Sequence, residues 1–297
     1  MTTLNVTSET DRRIRLRDGR WLAYAEYGDP AGKPLVYAHG TPGSRLCRYP
    51  DESIALSLGA RIIVPDRPGY GLSDFQPRRK LLDWPDDLVQ LADALEIDRF
   101  AIYGFSGGGA YALACARRIP HRLTVVALIN CHCPLGIPRS TSGMIWVNRL
   151  GFILAARVPW PIWSLITWLY FRNAHRDAGR FTERMAGRLP KCDREVFAQP
   201  GLREMLTENC REAFRAGTRG YAKDQAVIAR SWDFRFEDIN MKVHVWHGEE
   251  NTRAPLRMGE YFASAIPDCE ARFVSGEGHY IIWNLRRWKE ILALLVS

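Results

Sequence analysis

The sequence predicts an α/β fold: a mostly parallel, eight-stranded sheet flanked by helices and interrupted once by a helical insertion. Three observations lead there. Short apolar runs recur along the chain, helical patterns separate them, and the alternation stops at about residue 134 and resumes near 241. Runs this short, apolar on both faces, suit strands buried between two helix layers. The 297 residues can bury a sizeable core, as one large domain or a domain with an insertion.

The first element is a hairpin, in which Ile14–Arg17 and Trp21–Tyr27 flank the turn residues Asp18-Gly19. Six apolar runs follow as strands: Pro34–Ala38, Arg61–Val64, Phe100–Tyr103, Thr124–Ile129, Val243–Trp246 and Ala271–Val274. Helical patterns fit around Ser53–Leu58, Trp84–Leu95, Gly108–Arg118, Leu256–Ala265 and Arg287–Leu295. Asp83 before Trp84-Pro85 marks a helix start, because proline in the first turn removes an amide that has no helical partner anyway. Residues 1–133 and 241–297 form the predicted core. Residues 134–240, with helical patterns and prolines but no convincing strand, form a predicted cap over the sheet's C-terminal edge, where ligands bind in open α/β folds.

Composition narrows the function. A hydrophobic fraction of 46% and a charged fraction of 25% suit a globular enzyme and exclude disordered and fibrous classes. The net charge of +8 is Arg-dominated and spread along the chain. Arg78-Arg79-Lys80 and Arg286-Arg287 are no longer than a solvated face carries, and no nucleic-acid recognition motif accompanies them, so no nucleic-acid partner is expected. The seven cysteines include no CxxC pair, and Cys131-His132-Cys133 is too tight for zinc ligands of the usual spacing. Reduced, partly core-packed thiols are expected. Met1 to Asp11 has no apolar signal region, which makes the cytoplasm the default location. Met144 to Phe171 is rich in Trp, Leu and Ile. Arg149, Arg157, Pro159 and Pro161 break it below the ~20 apolar residues of a membrane span, so stable membrane insertion is not expected, while peripheral contact stays open.

The chemistry centres on Gly104-Phe105-Ser106-Gly107-Gly108, a G-x-S-x-G pattern between a strand and a helix. A sharp turn there exposes the serine oxygen while neighbouring backbone packs too closely for side chains. A serine hydroxyl needs a base to take its proton. His279, in the loop after the last strand, is the best-placed histidine; His121, His132, His175, His244 and His247 lack a comparable loop position. The oxyanion of an acyl-transfer intermediate needs preorganised N–H donors. The amides of Gly107 and of Thr41, in His39-Gly40-Thr41-Pro42-Gly43-Ser44, are the candidates, since Pro42 has no N–H. His39, Gly40, Phe105 and Trp146 are the candidate pocket residues.

HGTPGS, the later PDRPGYGLSD (Pro65–Asp74), GFSGG and the late GEGH together resemble the serine-dependent α/β-hydrolase superfamily over residues 14 to 295, cap excepted. The HGTPG loop also resembles that of proline iminopeptidases. The resemblance implies hydrolysis of an ester, amide, thioester or lactone of a small molecule, or occasionally C–C cleavage, with no metal or organic cofactor. It also implies that Asp66 is a structural acid. Epoxide hydrolysis and dehalogenation would need a carboxylate where Ser106 stands. The Trp and Leu content of the cap suggests a substrate with an apolar group.

One position departs from the family pattern. Its third triad member is usually an Asp in a segment resembling G-x-x-D-x-x-x-P; here Gly248 to Pro255 places Asn251 at that position. Asn is neutral, offers histidine either a carbonyl or an amide, and cannot compensate an imidazolium. In a serine protease the same change cost roughly 10⁴ in kcat. Four readings stand open: a hydrolase with a displaced acid (Glu250 or Glu249, more remotely Asp224), a weak Ser-His-Asn enzyme, a deliberate Asp-to-Asn change made to trap a complex, and a non-hydrolytic ligand-binding relative. The exit of the sixth strand offers only Asn130. Oligomeric state does not follow from the sequence.

Overall fold

In the computed structural model, which describes residues 10–297, the chain opens with an antiparallel pair, β1 (Arg12–Arg15) and β2 (Trp21–Gly28). The polar start of the chain, in which no signal region is expected, lies outside the described residues up to residue 9. Then come β3 (Lys33–Ala38), α1 (Ser53–Ser57), β4 (Ala60–Pro65), α2 (Trp84–Ala94), β5 (Phe100–Phe105), α3 (Gly108–Arg118) and β6 (Leu123–Ile129). Six helices follow without a strand: α4 (Trp146–Arg157), α5 (Trp160–Phe171), α6 (Ala178–Ala186), α7 (Lys191–Phe197), α8 (Leu202–Ala213) and α9 (Arg219–Ala229). The chain closes with β7 (Val243–Gly248), α10 (Leu256–Ala265), β8 (Cys269–Val274) and α11 (Leu285–Leu295).

The eight strands form one sheet in the order β1-β2-β4-β3-β5-β6-β7-β8, antiparallel through β2–β4 and parallel from there on. Strand alternation divides the core in two. Val36, Ile63, Ile102, Val126 and Leu128 face α2, α3 and α10, where Leu88, Tyr111 and Phe262 are buried. Leu35, Tyr37, Val64, Tyr103, Ala127 and Ile129 face α1 and α11, where Ile54, Trp288 and Ile291 are buried. Side chains that alternate between two apolar layers explain why these strands read as continuous apolar runs. Asp66, fully buried just after β4, accepts from the Arg45 amide (2.6 Å) and the Leu72 amide (3.0 Å), and its other contacts hold the loop after β4.

Among the described residues no helix is long and apolar enough to cross a membrane. The cysteines are free thiols, and Cys47, Cys115, Cys131, Cys133 and Cys210 are buried.

Candidate active site

Ser106 stands between β5 and α3 with φ +54°, a left-handed backbone that L side chains rarely adopt. The turn is tight because three backbone segments meet there. A Cβ on Gly104 would lie 2.6 Å from the Gly108 carbonyl, and one on Gly108 would collide with the Ala38 carbonyl at the end of β3. The Ser106 amide donates to the Ile129 carbonyl of β6 (3.0 Å), which pins the elbow to the sheet. Strain held by surrounding structure is characteristic of functional turns.

The loop after β3 lies against this elbow. A Cβ on Gly107 would press on Thr41 Oγ1 and on Ile228 of α9, so the two candidate oxyanion amides belong to touching residues. Neither the Thr41 nor the Gly107 N–H has a hydrogen-bond partner among the described residues. The loop is held from behind. Arg67 donates to the carbonyls of His39 and Gly40, to Thr41 Oγ1 (2.9 Å) and to Asp224 Oδ2 (2.6 Å). Thr41 Oγ1 donates in turn to Asp224 Oδ2 at 2.9 Å. Asp224, on α9, also pairs with Arg79 and accepts from Tyr70 (3.1 Å) and Tyr111 (2.5 Å). Burial pushes its carboxyl up, but Arg67 and Arg79 outweigh that and hold it well below the usual range.

His39 differs from its expected pocket role. It is fully buried; Nδ1 pairs with the Gly40 carbonyl (2.8 Å) and Nε2 accepts from the Arg67 amide (3.3 Å), so both ring nitrogens are used to hold the loop. Burial and Arg67 keep it neutral. Gly40 is smooth for a reason: a Cβ there would lie 3.2 Å from the Phe105 ring.

His279 sits in the loop between β8 and α11, and two anchors place it. Asn130, at the end of β6, donates to the carbonyls of Gly278 (2.8 Å) and His279 (2.7 Å) and accepts from the Gly248 amide (2.9 Å). Asp193 of α7 accepts from the amides of His279 (3.0 Å) and Tyr280 (2.8 Å), and a Cβ on Gly278 would collide with it. The Phe105 ring packs on the imidazole, centroids 5.0 Å apart.

Asn251, at the position where the resemblance implies the third triad member, contacts His279: Nδ1 lies 3.1 Å from Asn251 Oδ1. The same oxygen accepts from the amides of Arg253 (3.0 Å) and Ala254 (2.9 Å). Backbone amides only donate, so the carbonyl of the side chain must face this way. His279 therefore carries its proton on Nδ1 and leaves Nε2 unprotonated. Asn251 thus selects the useful tautomer; what it lacks is charge. Burial drives the His279 pKa well below the ordinary histidine value, and Arg253, His132 and His247 add to it, with no carboxylate opposing them. Glu250 is exposed, its amide bound to the Glu277 carbonyl (3.0 Å), and no hydrogen bond or ion pair joins its carboxylate to His279 among the described residues. Asp224 is engaged behind the oxyanion loop instead.

Two placements differ from expectation. Trp146 opens α4 and is 73% exposed, on the outside of the molecule instead of in a pocket. His132, set aside in the sequence, lies beside the serine: its Nδ1 is 3.4 Å from Ser106 Oγ, long for a hydrogen bond, and no hydrogen bond joins Ser106 to His279 among the described residues. Burial lowers the His132 pKa to about 4, so the ring is neutral and a weak acceptor. Phe152 of α4 stacks on it at 5.5 Å. The available signal was its place just after β6, at the sheet edge where sites form. Asp193 gave no comparable signal, because its partners are backbone amides 86 and 87 residues away.

The family model described as the alpha/beta hydrolase fold matches residues 33–284. A 2-hydroxy-6-oxo-2,4-heptadienoate hydrolase of Pseudomonas putida is 36% identical over 42% of this chain and 46% of its own. The chain spans less than half the length of the first curated relatives it matches. A pimeloyl-[acyl-carrier protein] methyl ester esterase of Aromatoleum aromaticum is 27% identical over 73% of this chain and 80% of its own. Among solved structures, an esterase from Rhodococcus sp. ECU1013 superposes with a TM-score of 0.69 at 20% identity, covering 97% of this chain and 98% of its own.

Proposed function

The chain belongs to the alpha/beta-hydrolase-fold family, and from that premise we propose that it is a serine hydrolase cleaving a carboxylic ester or related acyl bond of a small molecule. The single observation that carries the reading is Ser106 at φ +54°, at the tip of a strand–turn–helix elbow beside two amides without a hydrogen-bond partner among the described residues. The similarity to a methyl ester esterase over most of both chains supports the bond class.

In this reading Ser106 Oγ attacks the acyl carbon. Its proton passes to Nε2 of His279, held in the base form by Asn251, and then to the leaving alcohol or amine. The amides of Thr41 and Gly107 receive the oxyanion, and water repeats the sequence on the acyl-enzyme. Residues 134–240 act as a cap: α4, α7 and α9 supply Phe152, Asp193 and Ile228 around the site.

The missing negative charge favours a second reading, in which turnover is weak and the pocket retains its ligand. A fluorophosphonate probe and p-nitrophenyl butyrate separate the two. Probe labelling and ester turnover that both vanish in Ser106→Ala, with turnover falling sharply in His279→Ala, support the hydrolase. Labelling without turnover across an acyl panel supports retention, and no labelling at all sinks the nucleophile assignment.

A further inference from the structure

We infer that α4 and α5 form a docking face for the surface of an anionic phospholipid bilayer. The two helices are joined by Val158-Pro159, and both pack on α9. Helix α5 turns Trp163, Thr167 and Phe171 inward, four residues apart, and Trp163 Nε1 donates to the Ala222 carbonyl of α9 at 2.9 Å. Its other side is uncovered: Ile162, Leu165, Trp168 and Leu169 are about half exposed. On α4, Phe152 and Ala155 are buried while Trp146 and Leu150 stand out. Most of the exposed large apolar side chains of the described residues lie on these two helices. A concentration of this kind marks an interaction surface.

Charge identifies the partner. From residue 99 to residue 176 the chain contains no Asp or Glu. Arg149 and Arg157 lie on α4, Arg172 directly follows α5 and Arg176 lies in the turn beyond it; all are exposed, and none forms an ion pair among the described residues. Arg172 rests over the Trp168 ring at 5.6 Å, an arginine and an indole side by side. A short apolar face with exposed Trp and unpaired cations suits the boundary between lipid headgroups and acyl chains. A 12-residue helix is too short to span the bilayer, so α5 lies in the interface plane. A protein partner with an acidic surface, or a second copy, would need to cover the same arginines; the second copy would have to set arginine against arginine or find acids outside this face.

The test is flotation of the full chain with vesicles of phosphatidylcholine alone and of phosphatidylcholine mixed with phosphatidylglycerol, at low and high salt, beside light scattering of the free protein. The expected result is a monomer that floats with the mixed vesicles, is released by salt, and floats poorly with phosphatidylcholine alone. Leu165→Glu/Leu169→Glu lowers partitioning at least about tenfold. Arg149→Gln/Arg157→Gln/Arg172→Gln lowers it by on the order of a hundredfold, roughly fivefold per arginine. Both variants substitute exposed positions and keep the wild-type melting midpoint. Equal flotation with both vesicles, no flotation with either, or unchanged binding by the variants overturns the proposal. So does a dimer that the Leu165→Glu/Leu169→Glu variant splits, which would assign the face to a second copy. None of these readouts depends on hydrolysis.

Discussion

The two loops that flank Ser106 are held by opposite means. Behind the oxyanion loop lies buried charge: Asp224 between Arg67 and Arg79, with Thr41 bound to both Asp224 and Arg67. The loop that carries His279 is held by neutral amides and one carboxylate directed at backbone, and among the described residues the ring's hydrogen bond is to the carbonyl of Asn251. In the proposed mechanism, charge is therefore concentrated where the oxyanion donors need rigid placement and absent where the imidazolium would form. In that mechanism Asn251 performs one half of the usual acid's task. It orients the imidazole and leaves the imidazolium uncompensated.

Breaking the charged side should have the largest effect. In Asp224→Asn, Arg67 and Arg79 lose their partner inside the protein, and a loss of about 3–5 kcal/mol in unfolding free energy is expected from denaturant titration. The sign with pH follows from the depressed carboxyl. Its stabilisation is complete above the unfolded value of ~3.9 and is lost as pH falls toward the folded value, so wild-type stability declines below about pH 4 while Asp224→Asn is flatter there. Thr41→Val removes one hydroxyl from the same network and keeps the amide. It should lower kcat with little change in melting; an unchanged kcat would mean that the hydroxyl network does not position the Thr41 amide.

Asn251→Asp sharpens the neutral side. The acceptor oxygen keeps its three donors, and the new charge faces the imidazolium. Since the tautomer is already correct, the gain should fall short of the ~10⁴ attributed to loss of both functions. About 10- to 100-fold in kcat/KM, or ~1.4–2.8 kcal/mol, is expected. The pH profile provides the independent check. In the parent chain His279 titrates well below the ordinary histidine range, so activity should persist as pH falls through ~6.5. A carboxylate beside the ring raises its pKa, and the acidic limb of Asn251→Asp should move upward. An unmoved limb would mean that His279 is not the base.

Much of the fold was legible because the central strands are buried on both faces. The predicted start of β5 at Phe100 and the whole of α3 match the structure. The edges were harder. β1 begins at Arg12 and β8 at Cys269, earlier or shifted from the apolar runs, because Arg12, Arg13, Glu270 and Arg272 on edge strands can face solvent. Within the site, Ser106 is legible from the G-x-S-x-G turn, His279 from its loop after the last strand, and Asn251 only through the resemblance to the family's pattern. Trp146 was misplaced because which face of a helix is covered depends on its neighbours, and an apolar sequence on nearly every face does not name one. In sequence Asn130 only marks the absence of a carboxylate after β6, whereas its three backbone contacts make it the latch of the loop that carries His279.

His132 gives the smallest expected effect and the finest discrimination. Its Nδ1 lies 3.4 Å from Ser106 Oγ, yet among the described residues the ring is held by a backbone hydrogen bond with Arg253 and by no carboxylate or side-chain amide, and burial lowers its pKa to about 4, which makes it a poor proton acceptor. If it only receives the resting hydroxyl, His132→Ala frees Oγ for His279 and changes kcat/KM by less than about tenfold, while His279→Ala loses several orders of magnitude. The variant also removes one of the positive influences on His279, so its acidic limb should shift slightly upward, in the direction of Asn251→Asp but by less. The opposite ranking, with His132→Ala the more damaging of the two, would move the base from the loop after β8 to the end of β6. Asn251 would then be a structural residue, and the reading of a half-complete triad would fall with it.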